Sequence, residues 1–271
     1  MKKLLLLFFL LYSFNFLLAQ KDIPEFGKVD TSELTMKECA FEKNASAMNL
    51  IKTAKISFEL NLFTGVPKIY TEYRVRKKIF TEHGFSAANV NISYSSKSRS
   101  SKITDIEAFI YNLDENGNIV KEKVEKSELF KEKSNAKNSV NKISFTFPGL
   151  KKGSVIEYRY TKIDKNSLRI EPWLFQDIIP TAVSNITAVT PAFVAMSYHL
   201  LIVNPIEQAS AYKKYSKSIY NEDTRIFTMR NISSFKVEPF ITSLKDNLQR
   251  IEFSLAPIFQ HKRCSEMLMT G

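Results

Sequence analysis

Apolar and polar residues along this chain alternate with a period of two over most of its length. Phe58, Leu60 and Leu62 form one such series, followed by Tyr73, Val75 and Ile79, by Val90, Ile92 and Tyr94, and by Ile106, Ala108 and Ile110. Alternation at this spacing marks strands with one buried face. Asn112 to Asn118, with Asn116-Gly117 inside it, carries a hairpin signal, and a further strand is expected from Ile119. Ile143, Phe145 and Phe147 run into the Pro148-Gly149 turn, and Ile156, Tyr158 and Tyr160 leave it. Additional strands are expected over Tyr198 to Val203, Arg225 to Ile232 and Ile251 to Leu255. Short strands separated by turns predict an all-β, antiparallel β-sandwich with few short helices, not alternating β and α units. The sparse helix signal falls on Ser243 to Arg250, while Thr81-Glu82-His83-Gly84 reads as a loop because Gly84 punctuates it. Residues 131 to 142 read as an exposed polar loop. A soft division near Ala182 separates two sets of strands, but no long linker lies there, so one continuous domain is expected.

The first residues follow a different pattern. Lys2 and Lys3 precede an apolar run from Leu4 to Leu18, broken by Ser13 and Asn15, and a small residue, Ala19, stands before Gln20 and Lys21. This is the layout of a secretory signal peptide, expected over residues 1–19, and the run is shorter than a membrane span requires. The expected address is therefore exported, either periplasmic or secreted to the cell surface. Cys39 and Cys264 fit an oxidising address; a disulfide between them is possible, as is a pair of reduced thiols.

Composition changes this picture little. The chain has 271 residues, 44% of them hydrophobic, enough to bury a sizeable core. Its formal charge is +11, or +9 (37 basic against 28 acidic residues) once Lys2 and Lys3 are set aside. Lysines are spread along the chain and interleaved with glutamates, as in Lys121-Glu122-Lys123-Val124-Glu125-Lys126, so a solvated mixed-charge face is expected and a nucleic-acid partner is not.

Candidate chemistry is thin. His261 and Cys264 stand three residues apart and could be read as a thiol–imidazole pair, but they lie in a terminal stretch with no framework to hold them. No cluster has the ligand spacing of a zinc site, and Asp114, Asn116 and Asn118 resemble a calcium loop only superficially, with its Gly and terminal Glu misplaced. No cofactor is implied. Trp173 and Phe175, with Gln176 beside them, could form an aromatic platform for a sugar or peptide, or pack in the core. Glu157 and Arg159, on the polar side of their strand, read as surface partners.

Several segments in order carry a resemblance: Arg74-Val-Arg-Lys77-Lys78-Ile79-Phe80, Ala88-Asn-Val-Asn-Ile92, Gly153-Ser-Val-Ile-Glu-Tyr158, Trp173-x-Phe175-Gln176, Ile179-Pro180, Glu238-Pro-Phe-Ile241 and Ser243-Leu-Lys-Asp246. Together they resemble the domain of unknown function 3857, over roughly residues 25 to 257. The resemblance implies an immunoglobulin-like sandwich that precedes a transglutaminase-like, papain-fold core in exported proteins of Bacteroidetes-type bacteria. It implies domain limits of 20–257, with 258–271 a truncated tail. No catalytic residue can be carried over, because the Cys, His and Asp of that core have no matching positions here. The expected function is a non-catalytic accessory or scaffold domain whose partner is that core, or a polypeptide or cell-envelope component. A free-standing envelope module for glycan or peptide is the alternative, and a cysteine hydrolase using Cys264 a third reading.

Overall fold

The computed structural model describes residues 23–59, 66–95, 101–133, 140–165, 169–192, 194–214, 221–239, 241 and 243–257. Its largest element is an eight-stranded sheet built from β1 (Ala47–Glu59), β2 (Lys68–Ile79), β4 (Ser101–Leu113), β5 (Ile119–Lys123), β8 (Val155–Asp164), β10 (Thr181–Pro191), β12 (Glu207–Lys213) and β13 (Glu222–Ile232). The strand order is β12-β13-β10-β1-β2-β8-β4-β5. All neighbours are antiparallel except β1 and β10, which run parallel with Thr53 beside Asn185 and Lys55 beside Thr187. Two three-stranded sheets complete the fold. One has β9 (Trp173–Leu174), β11 (Val194–Leu201) and β14 (Arg250–Pro257) in the order β11-β14-β9; the other has β3 (Val90–Ser95), β6 (Phe130–Glu132) and β7 (Val140–Phe145) in the order β3-β7-β6. The expected all-β sandwich is thus present, with one broad sheet faced by two small ones.

Both small sheets cover the same face of the large one, and alternation explains how. Ile56, Ile69, Ile186 and Phe227 of the large sheet meet Trp173, Ile251 and Phe253 in a first core. Ala108, Ile110 and Ile156 meet Val90, Ile92, Ile143 and Phe145 in a second. The opposite face carries a third cluster, where Met48, Leu50, Ile51, Phe80, Tyr111 and Val155 pack beneath Leu34 and Cys39 of the N-terminal segment, residues 23–45. A bulge between Asn49 and Ile51 lets β1 serve both faces. It shifts the parity, so that Met48 before it, Leu50 within it and Ile51 after it all join the same cluster. In the N-terminal segment, helix α1 (Thr31–Thr35) starts at Asp30, whose carboxylate accepts the Ser32 N–H at 2.7 Å. A second short helix, α2 (Leu244–Asn247), falls within the expected Ser243–Arg250 stretch.

Three local expectations are corrected. Thr81 to Gly84 is no loop: Glu82–Ala88 forms a 3-10 helix. Gly84 is there for close approach, since a Cβ on it would lie 2.2 Å from the Ser46 carbonyl oxygen. That carbonyl also accepts the N–H groups of Phe80 and Thr81. The division near Ala182 falls inside β10, in the middle of the broad sheet. Strand β6 reaches to Glu132 and β7 begins at Val140, within the stretch expected to be loop, whose residues 134–139 lie outside the described ones. The Asp114 turn is as read: its carboxylate accepts the N–H groups of Asn116 and Asn118 at 2.9 and 2.7 Å, and the Asn118 side-chain amide, followed by these N–H groups, holds the carboxyl below its ordinary range.

Candidate functional site: a polar cleft beside the N-terminal segment

Even positions of β2 and odd positions of β8 point away from the small sheets. On this face the strands present Arg74, Arg76 and Lys78 from β2, and Val155, Glu157 and Arg159 from β8. The N-terminal segment covers one part of it. There Glu157 is 0% exposed, as is Arg76. The Glu157 carboxylate accepts from Arg74 Nε at 2.8 Å, from Arg76 Nε at 3.1 Å and from the Gly27 N–H at 2.9 Å. Arg76 spends its remaining donors on the segment itself: Nη1 on both Glu33 oxygens at 3.0 Å, and Nη2 on the Lys28 and Glu25 carbonyls at 2.7 and 3.3 Å. Lys78 donates to the Leu34 and Gly153 carbonyls, each at 2.6 Å, and burial pushes its ammonium down to about 8. Glu157 is therefore a buried clamp, not the surface partner its alternation suggested. A charge so enclosed survives only with this full set of partners.

Beyond the clamp the face opens into a cleft of about 670 Å³. Two cross-strand rows make its floor. One row runs Asn185, Thr53, Arg74, Arg159, Glu107 across β10, β1, β2, β8 and β4; the next runs Thr187, Lys55, Glu72, Thr161 across the first four of these strands. At a strand spacing of about 4.8 Å, five strands make a floor about 19 Å wide. The wall is Phe26, whose ring lies 4.3 Å from the Arg159 guanidinium carbon and 5.7 Å from the ring of Phe109. On the far rim a register shift in β4 between Thr104 and Glu107 places Asp105 in the left-handed region, at φ 55°. Bulges commonly re-aim side chains at binding sites. Asn185 donates to Thr228 at 2.8 Å, and Arg159 to Glu107 at 2.6 Å. Among the described residues no group of three or more His, Cys, Asp or Glu is arranged to hold a metal.

The sequence candidates lie elsewhere. Trp173 is 6% and Phe175 0% exposed, both in the first core, so neither offers a free ring face and, of the two readings, core packing is the one realised. The indole N–H of Trp173 donates to Ser184 at 3.2 Å. Gln176 bridges chain segments, donating to the Ser233 carbonyl at 3.1 Å. Lys52 reaches the Leu174 carbonyl at 2.7 Å and stands 5.3 Å from the Trp173 ring; burial pushes its ammonium below the ordinary range, partly offset by Asp177. Tyr73 stacks on Tyr160 at 4.8 Å beside it, and burial raises both phenols. Cys39 is fully buried; Cys264 and His261 lie outside the described residues, as does the leader, so the disulfide and the dyad fall there too. Sequence reasoning missed the cleft, whose only signal was a run of Thr, Asn and charged residues at alternate positions of neighbouring strands.

None of the curated proteins matches the chain. Among solved structures, the crystal structure of a "putative protease" from Parabacteroides distasonis ATCC 8503 is similar, with a TM-score of 0.60 and 15% identity. The match covers 78% of this chain and 41% of that one, so this chain spans less than half of that protein's length. At this identity the likeness concerns the fold alone. A "putative nutrient binding protein" from Legionella pneumophila subsp. pneumophila str. Philadelphia 1 matches at 9% identity over 78% of this chain and 67% of its own; its TM-score of 0.31 is too low to carry an argument. The family model of DUF3857, a Domain of Unknown Function with solved-structure structure, matches residues 68–235, more than half of the chain. The chain belongs to the DUF3857 family.

Proposed function

We propose that this chain is a non-catalytic accessory domain of an exported protein, serving to scaffold a transglutaminase-like core. The carrying observation is family membership over residues 68–235, joined to a fold shared with a longer protein described as a "putative protease", of which the match covers 41%. The character of the described residues supports it. The buried Arg76, Lys78 and Glu157 are spent on holding the N-terminal segment to the sheet. Export rests on the leader pattern of residues 1–19. Two measurements test the reading. The purified chain is assayed for amide hydrolysis and transamidation, with and without Cys39→Ala and Cys264→Ala. It is then mixed with a separately produced transglutaminase-like core from the same genome, and complex formation is followed by light scattering. No turnover together with a stable complex is expected. Turnover by the isolated chain, or no association with any such core, overturns the proposal.

A further inference from the structure

We infer that the polar cleft is a binding site for a neutral, hydroxyl-rich oligosaccharide. This stands independently of whether a catalytic core accompanies the domain. Several features of the cleft point to that ligand class. Its volume, about 670 Å³, falls within the range of small-ligand sites, yet apolar side chains do not dominate its lining, where Ile23, Phe26, Ala54, Tyr73 and Tyr160 are five of fifteen residues. Thr53, Thr161, Thr187, Asn185, Lys55 and Glu72 instead line one concavity with hydroxyl, amide, ammonium and carboxylate groups. Such a set matches ligand hydroxyls, each of which donates and accepts.

The charges balance: Lys55, Arg74 and Arg159 stand against Glu72, Asp105 and Glu107. Arg159 is committed to Glu107 and Arg74 to the buried Glu157, which leaves Lys55 against Glu72 and Asp105, so an anion finds no surplus of positive charge. A peptide is disfavoured by position. Recognition of an extended chain uses a free sheet edge, a helix groove or a set of aromatic slots. This floor lies mid-sheet, where β1, β2 and β8 each have ladder partners on both sides. Phe26 supplies an aromatic wall with the Arg159 guanidinium 4.3 Å from its ring, a flat edge against which a sugar ring can pack. At the far rim, the left-handed Asp105 in the β4 bulge is the kind of backbone outlier that clusters at ligand sites.

The test titrates the purified chain, by calorimetry and by amide chemical-shift mapping, with chitohexaose, cellohexaose, maltohexaose and xylohexaose. A heparin hexasaccharide and casein-digest peptides serve as charged and peptidic comparators. Saturable binding of at least one neutral hexasaccharide is expected, with shifts at Thr53, Glu72, Thr161 and Asn185 and little change at high salt. Glu72→Ala should weaken it by about tenfold, the loss of one hydrogen bond to a charged group. Thr161→Arg should abolish it by filling the floor. Tyr212→Ala on the distant β12 should leave it unchanged, and unaltered thermal unfolding of each variant excludes loss of fold. The inference is overturned if no neutral hexasaccharide binds, if Glu72→Ala and Thr161→Arg leave binding intact, or if heparin or peptides occupy the cleft in preference.

Discussion

Replacing Glu157 by Ala tests the buried clamp most directly. The substitution removes the one carboxylate shared by Arg74, Arg76 and the Gly27 N–H. Arg76, which is 0% exposed, keeps Glu33 and two carbonyls, whereas Arg74, with 15% of its side chain exposed, can recruit water. Breaking a buried ion pair from one side costs about 3–5 kcal/mol, and the access of Arg74 to water places this case near the lower end. The lost Gly27 hydrogen bond adds about 1 kcal/mol. For a domain of this size, 1 kcal/mol corresponds to about 2–4 °C, so the midpoint of thermal unfolding should fall by roughly 10 °C. Urea unfolding followed by circular dichroism gives the free energy, and limited proteolysis should show faster cleavage within residues 23–45. Glu157→Gln, which keeps the shape and one acceptor, should lie between Ala and the native chain. Arg159→Ala is the control: its pair with Glu107 is 47% and 38% exposed, and such surface pairs contribute less than about 1 kcal/mol. A Glu157→Ala variant within 1 kcal/mol of the native chain, or no more affected than Arg159→Ala, would refute the reasoning.

Two further predictions concern Lys78 and the glycines. The Lys78 ammonium loses its proton near pH 8 when folded, against 10.5 for an ordinary lysine, because burial and then Lys37 disfavour the charge. Between these values the unfolded chain binds more protons, so this group adds stability as pH rises from about 8 to about 10.5. Urea unfolding across that window should show a shallower rise for Lys78→Met than for the native chain; parallel curves would sink the assignment. Gly84→Ala should destabilise by more than about 3 kcal/mol, because backbone meets Cβ at 2.2 Å and must shift. Gly153→Ala, at φ 92° with nothing within 4 Å of the added Cβ, should cost only about 1–2 kcal/mol; equal effects in thermal melts would contradict both.

What the sequence disclosed and what it hid follow from one distinction. Where a strand buries one apolar face, as with Ile156, Tyr158 and Tyr160, alternation alone locates it. Strand β10 escaped because Thr181–Pro191 is rich in Thr, Ala and Val on both faces, so the contrast that alternation needs is weak. The start of β1 escaped because Ala47 to Ile51 is buried continuously across a bulge. The charged positions were the harder case. Arg76 and Glu157 look solvated in a linear reading, and only the pairing of β2 with β8, together with the N-terminal segment, shows them to be enclosed. The cleft was hidden for the same reason: its floor gathers Thr53, Glu72, Thr161 and Asn185 from four strands, and no local window contains more than one member of either row.

The parallel pairing of β1 with β10 bears on how this domain can be cut. Strand β1 occupies the centre of the broad sheet yet lies wholly before residue 68, where the family match begins. A fragment trimmed to residues 68–235 would leave β12-β13-β10 and β2-β8-β4-β5 as two separate ribbons. Each would bare a long inner edge, and both would lack β14 to close the first core. Exposed edges of that kind pair with one another or with other copies. The smallest piece that can be handled as a soluble unit therefore reaches back to the N-terminal segment and forward through β14, and the family-matched middle of the chain is not by itself a foldable module.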